Sequence, residues 1–359
     1  MPDFTIRKDM PGVELTREEF TQRYCQHFFD PEFDAHRDAI ERILEVAWQA
    51  YRDSRKAPRQ RRAGPGYADP DYELSDEWIL ASEKIKDAER RQKDPNSPSR
   101  ILLINGASRS EHTCPGESSK SWRLAMVAQE IFAREKNFEI EVLDLSRLTS
   151  EYGRMIHPCK TCVSTAMPLC HWPCSCYPNH ALGQVHDWMN DIYPMWAAAH
   201  GVMILSPVNW YAPPSGLKAM MDRLVCADGG NPDPTSTHGK TVAEAKALEL
   251  ADWPYPQHLA GRLFAVVVHG DYGGVEAVQC AISGWLRDTG LIDAGHKSQI
   301  AAMLGYMEPY ATSHEALDRD TALQEEVRNA ARALVHGVKL ARRGELKQPD
   351  EGLVAPRKK

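Results

Sequence analysis

The sequence lacks several features that would assign it to a common class of protein. No uninterrupted apolar run approaches the ~20 residues of a membrane-spanning helix. Residues 1–20 contain no apolar segment of the kind found in secretory signals. Basic residues are not in excess, because 43 Lys and Arg stand against 50 Asp and Glu, which gives a net charge of −7. We therefore expect a cytoplasmic protein with neither a nucleic acid nor a membrane as its partner.

Two common phosphate-binding motifs are also missing. The Walker A pattern fails because Gly239-Lys240-Thr241 has Pro234 where the first glycine should stand. The dinucleotide fingerprint G-x-G-x-x-G does not occur, and we find no internal repeat. A nucleotide-type ligand would therefore have to be held by a different kind of loop.

The composition is that of a globular protein. The 359 residues suffice for one large domain or two smaller ones, and hydrophobic residues make up 42% of them. Nine cysteines would form a disulfide framework in a small secreted domain. In a large chain without a secretory signal, they are expected to be free thiols or metal ligands.

Apolar runs alternate with helical patterns from residue 100 onward. This order predicts an α/β fold with a doubly wound parallel sheet. Short apolar runs predict strands at 100–105, 138–143, 201–205, 263–268 and 298–303. The first shows no polar alternation, as expected for a parallel strand buried on both faces. Helical patterns follow at 119–136, 186–200, 215–225 and 274–289, and from a cap at Thr312 to about 340. Residues 229–257 form an insertion, with one short helical pattern at 242–251.

The first 99 residues read as a helical N-terminal extension and linker. A capping box at Thr16–Glu19 predicts a helical stretch to about Asp53, broken near Asp30-Pro31. The basic segment 54–66 favours a solvated connection, with phosphate or partner binding as the alternative. A second helix is predicted at 75–92, and residues 343–359 are expected to be a flexible tail.

A hydroxyl-rich loop follows the first strand of the predicted sheet. It contains Ser108, Arg109 and Ser110, and a second serine-rich string, 118–121, stands immediately before a helix. Unpaired N–H groups and the positive dipole end of a helix favour a phosphate at such a position. The plainer alternative is a serine-rich loop with a helix-capping serine.

Two further loops follow the third and fourth strands. Pro207–Tyr211 ends in an aromatic pair that could stack on a planar ring or pack over the sheet edge. The stretch 269–274, HGDYGG, permits close approach of a ligand or only a tight turn. His269 and Asp271 are candidate acid–base groups, although a histidine at a strand end is more often structural.

The order of these motifs carries a resemblance. GASR and SSKSWRLA, then SPVNWYAPPSGLKAMMDRL, then HGDYGG and GWLRDTG resemble the flavodoxin-like NAD(P)H-dependent FMN reductase family. The similarity is greatest to its iron–sulfur flavoprotein-like branch, and it covers about residues 100–300. It implies a five-stranded parallel sheet, with FMN held at the carboxyl ends of the strands. The domains are then an extension, 1–99; a flavodoxin-like FMN-binding domain, 100–342; and the tail.

The resemblance also implies positions for the cofactor. Around the FMN phosphate it places Ser108, Arg109, Ser110, Ser119 and Ser121. Along the isoalloxazine it places Pro207, Val208, Asn209, Trp210 and Tyr211, and on the other side of the ring Gly270, Asp271, Tyr272 and Gly273. The first loop is longer here than in the family by about residues 111–116.

Five cysteines lie close together in the sequence. They are Cys159, Cys162, Cys170, Cys174 and Cys176. At most four of them could ligate an iron–sulfur cluster or zinc, and a redox-active CxxC pair or plain loop cysteines are the alternatives. Cluster-bearing relatives carry a compact C-x2-C-x2-C here, whereas this chain has Thr165 at the third position. Cys226 and Cys280 look like small core residues.

Three functions are compatible with these patterns. The first is an FMN-dependent NAD(P)H oxidoreductase acting on a quinone, a flavin or a similar small acceptor, in which the cofactor performs the hard chemistry and no catalytic residue is assigned. The alternative is a flavoprotein electron carrier, with or without an iron–sulfur cluster, serving protein partners. A scaffold that uses residues 1–99 as a docking arm is a third possibility, against which the flavin loops speak. We expect a homo-oligomer, either a dimer or a tetramer.

Overall fold

The structure is a computed structural model that describes residues 14–114, 116–305, 308–309 and 312–347. The chain divides into two compact units, Met1–Arg59 with Pro178–Val185, and Gln60–Tyr177 with His186–Lys359. Apart from its first residues, the predicted flexible tail lies outside the described residues. No helix in the described ranges is both long enough and apolar enough to cross a bilayer.

The first unit contains two helices, α1 (Arg17–Cys25) and α2 (Arg37–Arg52). The predicted capping box is confirmed, because the Thr16 hydroxyl accepts from the Glu19 N–H and the Glu19 carboxylate accepts from the Thr16 N–H. Phe20 is buried, with its ring 5.3 Å from Trp48 and 5.1 Å from Tyr51. Two short 3-10 turns separate the helices, so the predicted break near Asp30-Pro31 is also confirmed.

The second unit begins with a hairpin that the sequence patterns did not predict. Strands β1 (Gln60–Arg62) and β2 (Glu73–Ser75) pair in antiparallel fashion, within and just after the segment interpreted as a basic linker. Helix α3 (Asp76–Lys93) follows as expected, and the indole N–H of Trp78 donates to the Pro173 carbonyl at 2.8 Å.

The central sheet is parallel throughout. Its strands are β3 (Ser99–Asn105), β4 (Phe138–Asp144), β5 (Gly201–Pro207), β6 (Leu263–Gly270), β7 (Ile292–Asp293) and β8 (Gln299–Met303), in the order β4-β3-β5-β6-β7, with β8 also paired to β6. This is the flavodoxin-like order, so the predicted fold class is confirmed. Five positions were expected, and the fifth is shared by β7 and β8, which pair with successive parts of β6.

Helices cover both faces of this sheet. They are α4 (Lys120–Ala133), α5 (Arg147–Ser150), α6 (Met189–Ala198), α7 (Ser215–Arg223), α9 (Val275–Asp288), α10 (Ser313–Arg319) and α11 (Thr321–Arg342). Helix α8 (Val242–Leu250) lies in the insertion, and its Ala245 packs against Ala166 and Leu169 of the cysteine-rich segment. Ile101 and Leu103 of β3 belong to the core with α4 and α11, whereas Leu102 and Ile104 belong to the core with α6, α7 and α9. Both faces of β3 are therefore apolar, which explains why its sequence shows no polar alternation.

Candidate functional site

The loops after β3, β5 and β6 meet at one end of the sheet and line a cavity of about 240 Å³. Its lining residues are Ala107, Ser108, Arg109, Ser119, Lys120, Ser121, Pro207, Val208, Asn209, His269, Gly270, Asp271 and His314. From β3 the chain runs to β4 on one side of it, and from β4 it crosses back to β5 on the other side of β3. In open α/β sheets, the carboxyl ends of strands at such a switch point are where ligands bind.

The first loop turns away from β3 at Gly106, in close contact with the neighbouring strand. The Gly106 N–H donates to the Leu205 carbonyl at 2.8 Å. A Cβ at this position would lie 2.9 Å from Leu217 Cδ2 and 3.1 Å from the Leu205 oxygen. Only glycine fits here without displacement, and its absent side chain lets the first loop pass beside the second.

Helix α4 points its N-terminus at the cavity. Ser119 caps it, because its hydroxyl accepts from the Trp122 N–H at 3.1 Å. Lys120 is the first helical residue, and Arg109 reaches the same region, with its Nη2 3.4 Å from the Glu117 carboxylate. The dipole of this helix and two cationic side chains therefore favour an anion at this end of the cavity.

The charges of the cavity influence one another. Burial lowers the pKa of the Lys120 ammonium, the Asp271 carboxylate opposes this shift, and the Arg109 guanidinium adds to it. A desolvated cation that lies beside another cation is stabilised when an anion binds between the two. The cavity is thus polarised toward a ligand with negative charge.

A buried hydrogen bond joins the first and third loops. Ser121 Oγ lies 2.7 Å from His269 Nε2, and both residues are buried. Burial, with a smaller contribution from Lys120, lowers the pKa of His269 to about 3, so its imidazole is neutral at pH 7. The His269 carbonyl also accepts from the Val208 N–H at 2.9 Å. Of the two roles considered for His269, this geometry favours the structural one.

Several residues predicted for the site do not line the cavity. Ser110 is buried beside the cavity but does not line it, and its hydroxyl accepts from the His112 N–H at 3.2 Å. Trp210 is 96% exposed, Tyr211 is 62% exposed, and neither lines the cavity. The Tyr211 and Tyr272 rings meet edge to face at 6.4 Å, and Gly273 lies beside Tyr211.

Four lining residues were missing from the set predicted to bind the cofactor, namely Ala107, Lys120, His269, which was considered only as an acid–base group, and His314. Lys120 stands within the serine-rich string SSKS, where its position as the first helical residue was the available signal. His314 comes from α10, and its Nε2 donates to the Ser118 carbonyl at 2.8 Å. Nothing in the local sequence indicates that α10 returns to this loop.

The cysteine-rich segment does not form the predicted metal site. Within the described residues, no group of three or more His, Cys, Asp or Glu side chains is arranged to hold a metal ion. The structure therefore corrects the assignment of Cys159, Cys162, Cys170, Cys174 and Cys176 as ligands of an iron–sulfur cluster or zinc. It also corrects Cys280, which is exposed, whereas Cys226 is buried as expected. The cluster that would have favoured an electron carrier thus has no ligand set here.

Several solved structures are similar to this chain at low sequence identity. RosB with the bound intermediate 8-demethyl-8-formylriboflavin-5'-phosphate is 13% identical, with 69% of this chain and 82% of that chain covered and a TM-score of 0.47. The flavoenzyme NAD(P)H:(acceptor) oxidoreductase FerB from Paracoccus denitrificans is 14% identical, with 67% and 97% covered and a TM-score of 0.37. An oxidoreductase from Corynebacterium diphtheriae is 14% identical, with 68% and 98% covered and a TM-score of 0.38. At such TM-scores, these similarities carry no information about a substrate.

The family comparison is more specific. No curated protein matches this chain in sequence. The family model described as NADPH-dependent FMN reductase matches residues 99–285, which is more than half of the chain and includes all three loops of the cavity. This match does not extend to the iron–sulfur branch that the sequence resembled. The chain is therefore an oxidoreductase that belongs to the NADPH-dependent FMN reductase family.

Proposed function

We propose that the cavity binds FMN and that the chain uses it to pass electrons from NAD(P)H to a small acceptor, such as a quinone or a flavin. The observation that carries this proposal is the convergence of Lys120 and Arg109 at the N-terminus of α4, in the loop order of the family. When bound, FMN would supply hydride acceptance and onward electron transfer, which the side chains of a protein do not provide.

The residues present fit the phosphate end of FMN. The donors are cations, hydroxyls and the first N–H groups of a 14-residue helix, which together suit a dianion. Ser108, Arg109, Ser119, Lys120 and Ser121 would hold the phosphate. Ser110 would act only indirectly, because its hydroxyl is engaged with the backbone of its own loop.

The ring of FMN would lie toward the second and third loops. Pro207, Val208 and Asn209 line one part of the cavity, and Gly270 and Asp271 line another. The volume of about 240 Å³ is below the ~300–1,000 Å³ typical of ligand pockets, so part of the flavin would extend outward. The residues that would flank that outer part are Trp210, Tyr211, Tyr272 and Gly273. The three aromatic rings among them are exposed, and a planar group could stack on them.

The protein's own work is to bind and orient. Lys120 and Arg109 would neutralise the phosphate, and the neutral His269 would fix Ser121 without adding charge. The Asp271 carboxylate partly offsets the effect of burial on the Lys120 ammonium, which favours its charged form. Glycine at 106 and 270 keeps the loops close, since a Cβ at either position would meet a neighbour at 2.9 Å.

The test is a titration of cofactor-free protein with FMN, followed by stopped-flow mixing of the loaded protein with NADPH or NADH. We expect stoichiometric quenching of flavin fluorescence and then bleaching of the flavin absorbance by a nicotinamide. Arg109→Met should weaken FMN binding about tenfold, by loss of one charge-assisted hydrogen bond. The matched control is Arg134→Met at the exposed opposite end of α4.

Two outcomes would contradict the proposal. If the folded protein binds no FMN at micromolar concentrations, the cofactor assignment is wrong. If FMN binds and neither nicotinamide bleaches it, the cofactor stands but the reductase activity does not. Equal weakening in both arginine variants would remove Arg109 from the site.

A further inference from the structure

A pair of thiols lies apart from the cavity, within the cysteine-rich segment. Cys162 opens a 3-10 turn, and its Sγ lies 3.6 Å from the Sγ of Cys176. The sequence motif CxxC pointed to Cys159 and Cys162 as a redox pair. The structure instead brings Cys162 together with a cysteine 14 residues further along the chain.

A lysine stands beside this pair. The Lys240 ammonium lies 3.5 Å from Cys162 Sγ and donates to the Leu169 carbonyl at 2.6 Å, which fixes its position. An adjacent cation stabilises a thiolate, which is the reactive form of cysteine. Lys240 comes from the 229–257 insertion, so this insertion completes the local environment of the thiol pair.

The two sulfurs differ in their access to solvent. Cys162 is only partly buried, whereas Cys176 is 6% exposed, so a reagent from solution reaches Cys162 first. The hydrogen bond with Cys176, together with Lys240, lowers the pKa of Cys162 to about 6 despite its burial. Burial raises the pKa of Cys159, and the pKa values of buried Cys170 and Cys174 are raised well above the usual range.

We propose that Cys162 and Cys176 are a reversible redox dithiol, in which a peroxide oxidises Cys162 and Cys176 then closes a disulfide bond. The Cys162 thiolate attacks one peroxide oxygen, the O–O bond breaks, and Cys162 becomes a sulfenic acid. The hydroxide that leaves takes up the proton that the Cys162 thiol had lost and becomes the first water. The Cys176 sulfur attacks the Cys162 sulfur, the S–O bond breaks, and the Cys176 proton leaves with the hydroxide as water. Two thiols and one hydrogen peroxide thus give one disulfide and two waters.

Formation of the disulfide bond requires only a small movement of the two sulfur atoms. The sulfurs must approach from 3.6 Å to about 2.05 Å, the length of a disulfide bond. An added dithiol such as dithiothreitol reverses the reaction by thiol–disulfide exchange, and its own two thiols become the disulfide.

The experiment treats the reduced full-length protein with one equivalent of hydrogen peroxide at pH 7. We expect the count of free thiols to fall by two and to recover with dithiothreitol. Peptide mapping under non-reducing conditions should find the Cys162 peptide joined to the Cys176 peptide, 2 Da below the sum of the reduced pair (about 1 Da for each hydrogen lost). Cys162→Ser should abolish this product, and Cys159→Ser should leave it.

Lys240→Met should move the midpoint of the pH–rate profile for alkylation of Cys162 to higher pH. The groups that face this thiol are Lys240, Cys170 and Cys176, with Cys174 near the lysine. Lys246→Met is the matched control, because Lys246 lies in the same insertion and pairs with Glu249. An unchanged profile in Lys240→Met would contradict the role of this lysine.

Three results would contradict the proposal that Cys162 and Cys176 are a redox dithiol. They are a disulfide between Cys159 and Cys162, oxidation of Cys162 to the sulfinic acid with no crosslink, and no loss of thiols. The wild-type peptide map decides among them, so the conclusion does not depend on whether a variant folds.

Discussion

Replacement of Lys120 by methionine tests the phosphate end of the cavity directly. Methionine keeps an unbranched apolar stem and removes only the ammonium. Lys120 lines the cavity as the first residue of α4, and burial lowers its pKa, so it already has weaker solvation than a surface lysine. Its loss should therefore weaken the binding of a phosphate more than the loss of an exposed lysine would.

The magnitude lies between two limits. Two unit charges 4 Å apart attract by about 4 kcal/mol at an effective dielectric constant of 20, whereas exposed pairs contribute about 0–1 kcal/mol. Hydrogen bonds to charged groups contribute about 1.5–3 kcal/mol, and Lys120, which is partly buried, belongs in this range. We expect the Kd for FMN to rise about 10- to 100-fold in Lys120→Met.

The assay compares FMN with riboflavin, which lacks the phosphate. Fluorescence titrations should give a large change in the Kd for FMN and almost none in the Kd for riboflavin. Lys136→Met, at an exposed position beyond the end of α4, should change neither. Because the pKa of Lys120 is lowered, wild-type affinity for FMN should fall with rising pH before the range in which ordinary lysines lose their proton. Equal weakening of FMN and riboflavin would refute the assignment of Lys120 to the phosphate.

Three further predictions concern stability and are read from urea unfolding. The pKa of His269 is about 3 in the folded protein, against an ordinary value of 6.5. Between these two pH values only the unfolded chain binds a proton at this histidine, so the free energy of unfolding should fall as the pH decreases. Wild type should lose about 2 kcal/mol more than His269→Gln between pH 7 and pH 5, and parallel curves would contradict this. Arg223→Met should cost about 3–5 kcal/mol, because Arg223 and Asp187 form a fully buried pair at 2.5 Å; a cost under 1 kcal/mol would argue against that burial. Gly106→Ala should cost about 1–3 kcal/mol by overpacking, whereas Gly284→Ala, in open space within α9, should gain about 0.5–1 kcal/mol; the reverse order would contradict the packing.

The central fold was predictable because burial on two faces leaves a simple trace in sequence. Residues 101–104 are all apolar, and alternate members of this run serve opposite cores. The β1–β2 hairpin was not predictable by the same route, since the three residues of Gln60–Arg62 are all exposed and show no apolar periodicity. Of the two strands that share the fifth sheet position, only β8 was predicted. β7 was missed because its two residues are too few to form a pattern.

The candidate site was predictable in its loops and less so in its side chains. Strand ends located Ser108, Arg109 and Asn209 at one edge of the sheet, because parallel strands bring their carboxyl ends together. Which side chain faces inward depends on the path of each turn. Trp210 and Tyr211 both have positive φ values, 48° and 62°, and this turn leaves their rings in solvent. The pairing of distant cysteines likewise depends on how the loop closes, which spacing alone does not encode.

The fifth position of the sheet is divided between two short strands, and this affects whether a strand of another chain can pair with the edge of the sheet. An exposed strand edge offers unpaired N–H and C=O groups on which a strand of another chain can assemble. Here one border is divided into runs of two and five residues, and the other, β4, carries Glu139 and Glu141. Short runs give an incoming strand few hydrogen bonds, and two carboxylates repel a second copy of the same strand. Any assembly of copies of this enzyme is therefore expected to proceed through helices and loops rather than by extension of its sheet.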